Sequence, residues 1–103
     1  MIRGTTPTLS FTLPFNVSEL SLYYISIGQL SGLDVEEVIE KDQDDCDSSG
    51  AVINCELSQE DTLKLHAEYP VLIQIRAKKS DGTALASRMI KTTADAIIKD
   101  GVI

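Results

Sequence analysis

Strict alternation of apolar and polar side chains in three short segments is the feature that most constrains the fold of this chain. In Thr8–Leu13, Leu9 and Phe11 alternate with hydroxyl-bearing residues. The same period of two recurs in Ala51–Leu57 and in Val71–Lys78. A period of two places successive side chains on opposite faces of a β-strand, with one face buried and the other towards solvent. The sequence therefore predicts a largely β protein.

Two further segments complete the predicted strands. Leu20–Ile27 carries bulky residues on both faces, since the adjacent Tyr23 and Tyr24 must point in opposite directions. This pattern is typical of a central strand between two layers. Leu33–Lys41 could be a short helix, but its three β-branched residues favour a strand, and we interpret it as one.

Glycine and polar residues predict where these strands end. Gly28 and Gly32 predict the turn after the second strand, and the acidic segment Asp42–Gly50 predicts a polar connector. Ser80–Gly82 predicts a hairpin turn, after which Thr83–Thr93 returns as the partner strand.

One short helix or helical turn is expected near residues 58–66. Ser58 can cap its first turn, and Glu60 and Asp61 lie near the positive end of its dipole, while Pro70 ends it. Since 103 residues are the size of one domain, we expect a single all-β domain over residues 1–103. The six or seven hairpin-linked strands predict a two-sheet antiparallel β-sandwich of immunoglobulin-like type.

The net charge of the chain argues against nucleic-acid binding, and the uneven distribution of charge along the sequence has two interpretations. The net charge of −7 disfavours nucleic-acid binding, which requires a basic face. Residues 34–61 hold eleven acidic residues and one lysine, whereas residues 62–103 hold seven basic and four acidic residues. Either acidic and basic strands lie side by side in one sheet and neutralise each other, or an acidic face meets the basic face of another copy or partner.

No set of residues predicts catalysis, a cofactor or a metal site. His66 is the single histidine and has no nucleophile in a recognisable motif beside it. Cys46 and Cys55 lack metal-ligand spacing. If Asp47–Gly50 is a hairpin tip, the two thiols do not face each other and stay free. Without a signal peptide or a long apolar run, the chain is expected to be neither exported nor held in a membrane.

Two segments are candidates for binding a protein partner. The first is the acidic loop formed by Asp42, Asp44, Asp45 and Asp47. Its spacing fails the EF-hand calcium pattern, so a solvated acidic loop is the better interpretation. The second is the apolar tail formed by Ile97, Ile98, Val102 and Ile103, which either closes the core or docks on a neighbouring molecule.

The chain resembles a group of small proteins encoded in phages and prophages of Gram-positive gut bacteria. The segments that carry the resemblance are MIRGTTP at 1–7, FTLPF at 11–15, LSQEDT at 57–62, IQIRAK at 73–78, DGTALAS at 81–87 and KDGV at 99–102. More loosely, the strand order and the acidic corner after Leu57 are similar to the immunoglobulin-like N-terminal domain of phage baseplate upper proteins.

The resemblance implies a non-enzymatic phage structural or assembly protein, associated with the tail or baseplate. Its partners would be copies of itself or other virion proteins, and its location would be the host cytoplasm during assembly and then the virion. The alternative is an immunoglobulin-like binding module that acts on a host or phage protein through the acidic loop.

Overall fold

Two antiparallel sheets and one short helix form from the segments that the sequence marks out. The computed structural model describes residues 1–103, apart from the side chain of Ser31. The elements of this described chain are β1 (Thr8–Thr12), β2 (Leu20–Ser31), β3 (Asp34–Asp42), β4 (Asp47–Ser49), β5 (Val52–Glu56), α1 (Gln59–Leu63), β6 (Pro70–Lys79), β7 (Ala84–Ala86) and β8 (Ile90–Thr93). Short 3-10 turns cover Val17–Glu19 and Gln43–Asp45.

The sheets pack face to face, which confirms the predicted all-β sandwich. The smaller sheet has the order β1-β5-β4, and the larger has the order β3-β2-β6, with β7 and β8 both paired to the far edge of β6. The hydrophobic core between them consists of Val17, Tyr23, Ile25, Ile27, Ile39, Ile53, Cys55, Leu57, Leu65, Val71, Ile73, Ile75 and Ala94.

The order of pairing is that of an immunoglobulin sandwich without its first strand. In that fold, strands B, E and D share one sheet, and C′, C, F and G share the other. Here β1, β5 and β4 correspond to the first set, and β3, β2, β6 and β7 to the second. The helix α1 lies between β5 and β6, at the corner that joins the two sheets.

The start of α1 forms as the sequence predicts, but its end does not. Ser58 Oγ accepts a hydrogen bond from the Asp61 amide at 3.1 Å, and Asp61 Oδ2 accepts one from the Ser58 amide at 3.0 Å. This reciprocal pair is a capping box. The helix ends at Leu63, and Pro70 instead opens β6, where a strand's first residue tolerates proline.

Gly28 lies inside β2 and not in the turn that was predicted there. The pairing with β3 shifts between Ile27 and Gly28, which is a β-bulge. A Cβ at Gly28 would lie 2.8 Å from both Glu36 O and Val35 Cγ1, so the bulge needs a residue without a side chain. The turn falls at Gly32, whose φ of 66° confirms the other half of the prediction.

The predicted single strand Thr83–Thr93 is two strands, because the ladder with β6 is interrupted at Ser87. The Ser87 amide donates to Ile75 O at 2.8 Å, while its Oγ accepts from the Ile75 amide at 3.0 Å. One residue thus satisfies both groups of Ile75, and the chain then leaves the ladder until β8. The hairpin turn before β7 is confirmed, with Gly82 at a φ of 95°.

The segment Asp42–Gly50 is more ordered than the predicted connector, and this changes the position of the cysteines. It contains a 3-10 turn and β4, which pairs with β5 so that Asp47 lies opposite Asn54. One position further along this register, Cys46 lies opposite Cys55. The prediction that the thiols do not face each other is therefore wrong. The chain reverses at Gly50 and Ala51, between β4 and β5, whereas the prediction placed the whole of Asp47–Gly50 in the turn.

Candidate interaction surface

The outer face of the larger sheet carries an open groove, lined by both apolar and polar side chains, with a volume of about 560 Å³. We call it the sheet groove and define it by its apolar members Leu22, Tyr24, Val35, Leu72 and Met89. Tyr24 is 40% exposed and Met89 is 53% exposed. Exposed apolar side chains gathered in one groove are a feature of surfaces where a protein meets another molecule.

Opposite charges flank the sheet groove. Glu37 and Glu40 line it from β3, and Arg76 and Lys78 line it from β6. We call these the acidic column and the basic column. The strand β2 separates them, so they lie about 10 Å apart at a strand spacing of about 4.8 Å. Among the described side chains, no ion pair joins the two columns.

Of the two interpretations of the charge distribution, the one that places acidic and basic strands side by side in one sheet is therefore wrong. β3 and β6 share one sheet, but both pair with β2 and not with each other. Neighbouring strands would bring opposite side chains within contact and allow neutralisation. With one strand between them, the carboxylates and the cations remain available to another molecule.

β2 also differs from its prediction as a strand covered on both faces. Tyr23 faces the core and is 5% exposed, whereas Tyr24 faces the sheet groove. The sequence correctly predicted bulky side chains on both faces of β2, but another layer of this chain covers only the inner face. The outer apolar residues are thus candidate contact residues that sequence reasoning missed, and the bulky side chains on both faces of β2 were the signal that could have found them.

Charges on the inner side of the larger sheet are, in contrast, paired within the chain. Lys41 Nζ lies 2.8 Å from Asp61 Oδ2, and the two side chains are 20% and 10% exposed. Burial acts to raise the pKa of Asp61, but its bonds with Lys41 and Ser58 outweigh burial and hold that pKa below its ordinary value. The same hydrogen bond raises the pKa of Lys41. This ion pair ties β3 to the start of α1.

The acidic loop uses part of its charge for its own structure. Asp42 Oδ1 accepts from the Asp44 amide at 2.9 Å, and Asp45 Oδ2 accepts from the Asp42 amide at 3.1 Å. These bonds cap the 3-10 turn. Asp44 and Asp47 are exposed. Across the described residues, no group of three acidic, histidine or cysteine side chains is arranged to hold a metal ion.

The apolar tail does not close the core. Ile98 is 106% exposed and Ile103 is 88% exposed, and Val102 is exposed as well. Ile97 is partly buried, and its Cδ1 lies 3.0 Å from the position of a Cβ on Gly4. Gln59 holds the chain end, since its Oε1 accepts from the Ile103 amide at 2.8 Å.

The two thiols lie together on the inner side of the smaller sheet. Both are free, with Cys55 buried and Cys46 partly buried. Burial, together with the neighbouring thiol of Cys55, raises the pKa of Cys46 to about 12. Burial also raises the pKa of Cys55. These environments favour the protonated thiols, which are poor nucleophiles.

His66 lies at a second, more polar depression of about 650 Å³, which Glu36, Glu37, Lys64 and Tyr69 also line. Its backbone is held by the buried amide of Gln29, whose Oε1 accepts from the His66 amide at 2.7 Å and whose Nε2 donates to His66 O at 2.8 Å. Its ring meets Tyr69 edge-on, with centroids 6.0 Å apart. Among the described contacts, no hydrogen bond joins the His66 ring to a nucleophile.

No protein-family model matches this chain, and no curated protein matches it either. None of the helices in the described chain has the length and apolar character needed to cross a membrane.

Proposed function

We propose that this chain is a non-enzymatic structural or assembly protein of a phage or prophage particle, associated with its tail or baseplate. The observation that carries the proposal is the sheet groove, which places exposed apolar side chains on the outside of a sheet between two columns of opposite charge. A surface of this kind suits contact with another protein. The phage context rests on the sequence resemblance.

The fold adds support of a general kind. An immunoglobulin-like sandwich leaves open sheet edges; here β1 and β4 form the edges of the smaller sheet, and β3 forms one edge of the larger sheet opposite β7 and β8. Open edges and an uncovered face both favour assembly with other chains. β3 is acidic along its length, which keeps its backbone from pairing with unrelated strands and leaves the face of the sheet as the better contact.

The test is to purify particles induced from the source bacterium and to search them for this protein by mass spectrometry. The proposal expects many copies per particle. Abundant protein in the lysate with none in the purified particles would contradict a structural role and leave an assembly helper or a host-directed binder.

A complementation experiment sharpens the test. A strain that lacks the gene would receive either the wild type or a variant with Tyr24→Lys and Leu72→Gln, which places polar groups on the sheet groove. The proposal expects this variant to fold and to be lost from particles. Glu56→Lys, on the exposed side of the smaller sheet, is the matched control and should be incorporated normally.

A binding module acting through the acidic loop is the second candidate. The exposure of Asp44 and Asp47 favours it, since these carboxylates remain accessible to a basic partner. In this case, neutralising both residues would abolish partner binding, whereas changes in the sheet groove would not.

A further inference from the structure

We infer that the sheet groove is the contact between two copies of this chain, related by a two-fold axis that runs parallel to the strands. This inference rests on the proposed assembly function and names the partner of the same surface. It is carried by the order of charge across the sheet, which is acidic on β3, uncharged on β2 and basic on β6.

The direction of the axis follows from the charges. When two copies of a sheet face each other about an axis parallel to their strands, left and right are exchanged, and the acidic column of each copy meets the basic column of the other. An axis perpendicular to the strands would instead place acidic column against acidic column. Like charges across an interface are strongly disfavoured, so the first arrangement is selected.

The register within the sheet brings one acidic and one basic group of the columns to similar heights. Glu40 pairs with Ser26 of β2, and Arg76 pairs with Tyr24 of β2. A rotation about β2 preserves height along the strand, so Glu40 of one copy and Arg76 of the other differ by two residues, or about 7 Å, which their long side chains span. Glu37 and Lys78 lie further from each other, at the two ends of the columns, because they pair with Gly28 and Leu22 of β2.

Apolar contact forms along the axis itself. On β2, Leu22 and Tyr24 meet the same residues of the second copy, while Ser26 and Gly28 continue the outward row towards Leu72, which lies opposite Gly28. The resulting interface has an uncharged centre and a charged rim, as protein interfaces commonly do. The side chains that this chain leaves exposed on β2 thereby gain the second layer that their pattern predicts.

The size of the surface predicts a modest affinity. From Leu22 to Leu30, β2 spans about 27 Å, and four strands are about 19 Å wide. Each copy thus offers about 500 Å², and a pair would bury about 1,000 Å², which is at the lower limit for a specific interface. We expect a dissociation constant in the micromolar range and a strong dependence on salt.

Sedimentation equilibrium over a range of protein concentrations tests the inference. The wild type should form a dimer that weakens as salt is raised, because opposite columns attract. Glu37→Lys with Glu40→Lys should weaken association at least tenfold, and so should Arg76→Glu with Lys78→Glu. An equimolar mixture of these two variants should restore the dimer, since every column then meets its opposite.

The matched control is Asp44→Lys with Glu56→Lys, which makes the same change of charge away from the sheet groove. It should leave the dimer intact. Circular dichroism would show that each variant folds, and if a double variant unfolds, Glu40→Lys and Arg76→Glu replace it.

A monomer at every concentration would overturn the inference, as would a dimer that strengthens with salt or is indifferent to both column variants. A control as damaging as the column variants would also overturn it. A monomeric protein that is nonetheless abundant in particles would refute this inference alone, whereas a dimer that is absent from particles would refute the proposed function alone.

Discussion

The inner and outer faces of β2 each carry a tyrosine and further apolar side chains, but their surroundings are opposite. On the inner face, Tyr23, Ile25 and Ile27 are almost fully buried, whereas on the outer face Leu22 and Tyr24 remain more than a third exposed. The charges follow the same division, because Lys41 on the inner side is paired with Asp61, while Glu40 on the outer side has no ion-pair partner among the described side chains. The comparison teaches that the chain completes only one of the two layers for which its central strand is suited.

The largest effect on stability should come from truncating a buried side chain on the inner face of β2. Truncation of an exposed side chain on the outer face is the comparison. Ile25→Ala removes a side chain that is 0% exposed, and we expect the free energy of unfolding to fall by about 2–5 kcal/mol. Leu22→Ala should cost less than about 1 kcal/mol in dilute solution, because its neighbours leave it partly in water. Urea unfolding at low protein concentration measures both. Equal losses would mean that the outer face is covered within the chain, contrary to the comparison.

The next largest effect on stability should come from removing a paired charge, in comparison with removing an unpaired one. Asp61→Asn should lower the free energy of unfolding by about 1–3 kcal/mol, since it leaves the partly buried Lys41 without its carboxylate. Glu40→Gln is the matched control, and its effect should stay within about 0.5 kcal/mol.

The same pair gives a pH dependence with a defined sign. Because the pKa of Asp61 is lowered on folding, its stabilisation is present above its ordinary pKa of 3.8 and is lost as the pH falls through the lower folded value. In thermal melts between neutral and acid pH, the melting temperature should fall less steeply with decreasing pH for Asp61→Asn than for the wild type. An identical fall in both proteins would show that the ion pair contributes nothing to stability.

Thiol chemistry should report on the covered inner face of the smaller sheet. Since the pKa of Cys46 is raised to about 12 from an ordinary 9.0, both native thiols should react with iodoacetamide at least about tenfold more slowly at neutral pH than in urea. Mass spectrometry measures the rates, and Cys46→Ser and Cys55→Ser assign them. A native rate equal to the rate in urea would place the thiols in solvent. Stability should also fall above pH 9, because the unfolded thiols release protons that the folded ones retain.

The smallest effect should come from the acidic loop. Asp44→Asn with Asp47→Asn should change the free energy of unfolding by no more than about 0.5 kcal/mol and should leave incorporation into particles unchanged. Asp42→Ala is the comparison within the loop. It removes the capping carboxylate and should cost about 1 kcal/mol. Loss of incorporation in the Asp44 and Asp47 variant would favour the acidic loop over the sheet groove as the binding surface.

Local patterns predicted most of the elements because their causes are local. Alternation located β1, β5 and β6 to within one or two residues, and the Ser58 cap located the start of α1. The errors arose where the outcome depended on distant residues. Gly28 ends no strand, because its lack of a Cβ serves a bulge against β3. Cys46 meets Cys55 because the turn of one hairpin sets the register of its strands.

The sequence by itself determined which side chains share a face of each strand, and hence that β2 has two apolar faces. Only the tertiary structure decided that one of these faces is covered and that β2 stands between the acidic and the basic columns. The physical reason is that the period of two follows from the backbone of a single strand, whereas the order of strands and the cover over each face depend on long-range packing. The unpaired columns and the sheet groove could therefore be recognised only after the strands were placed side by side.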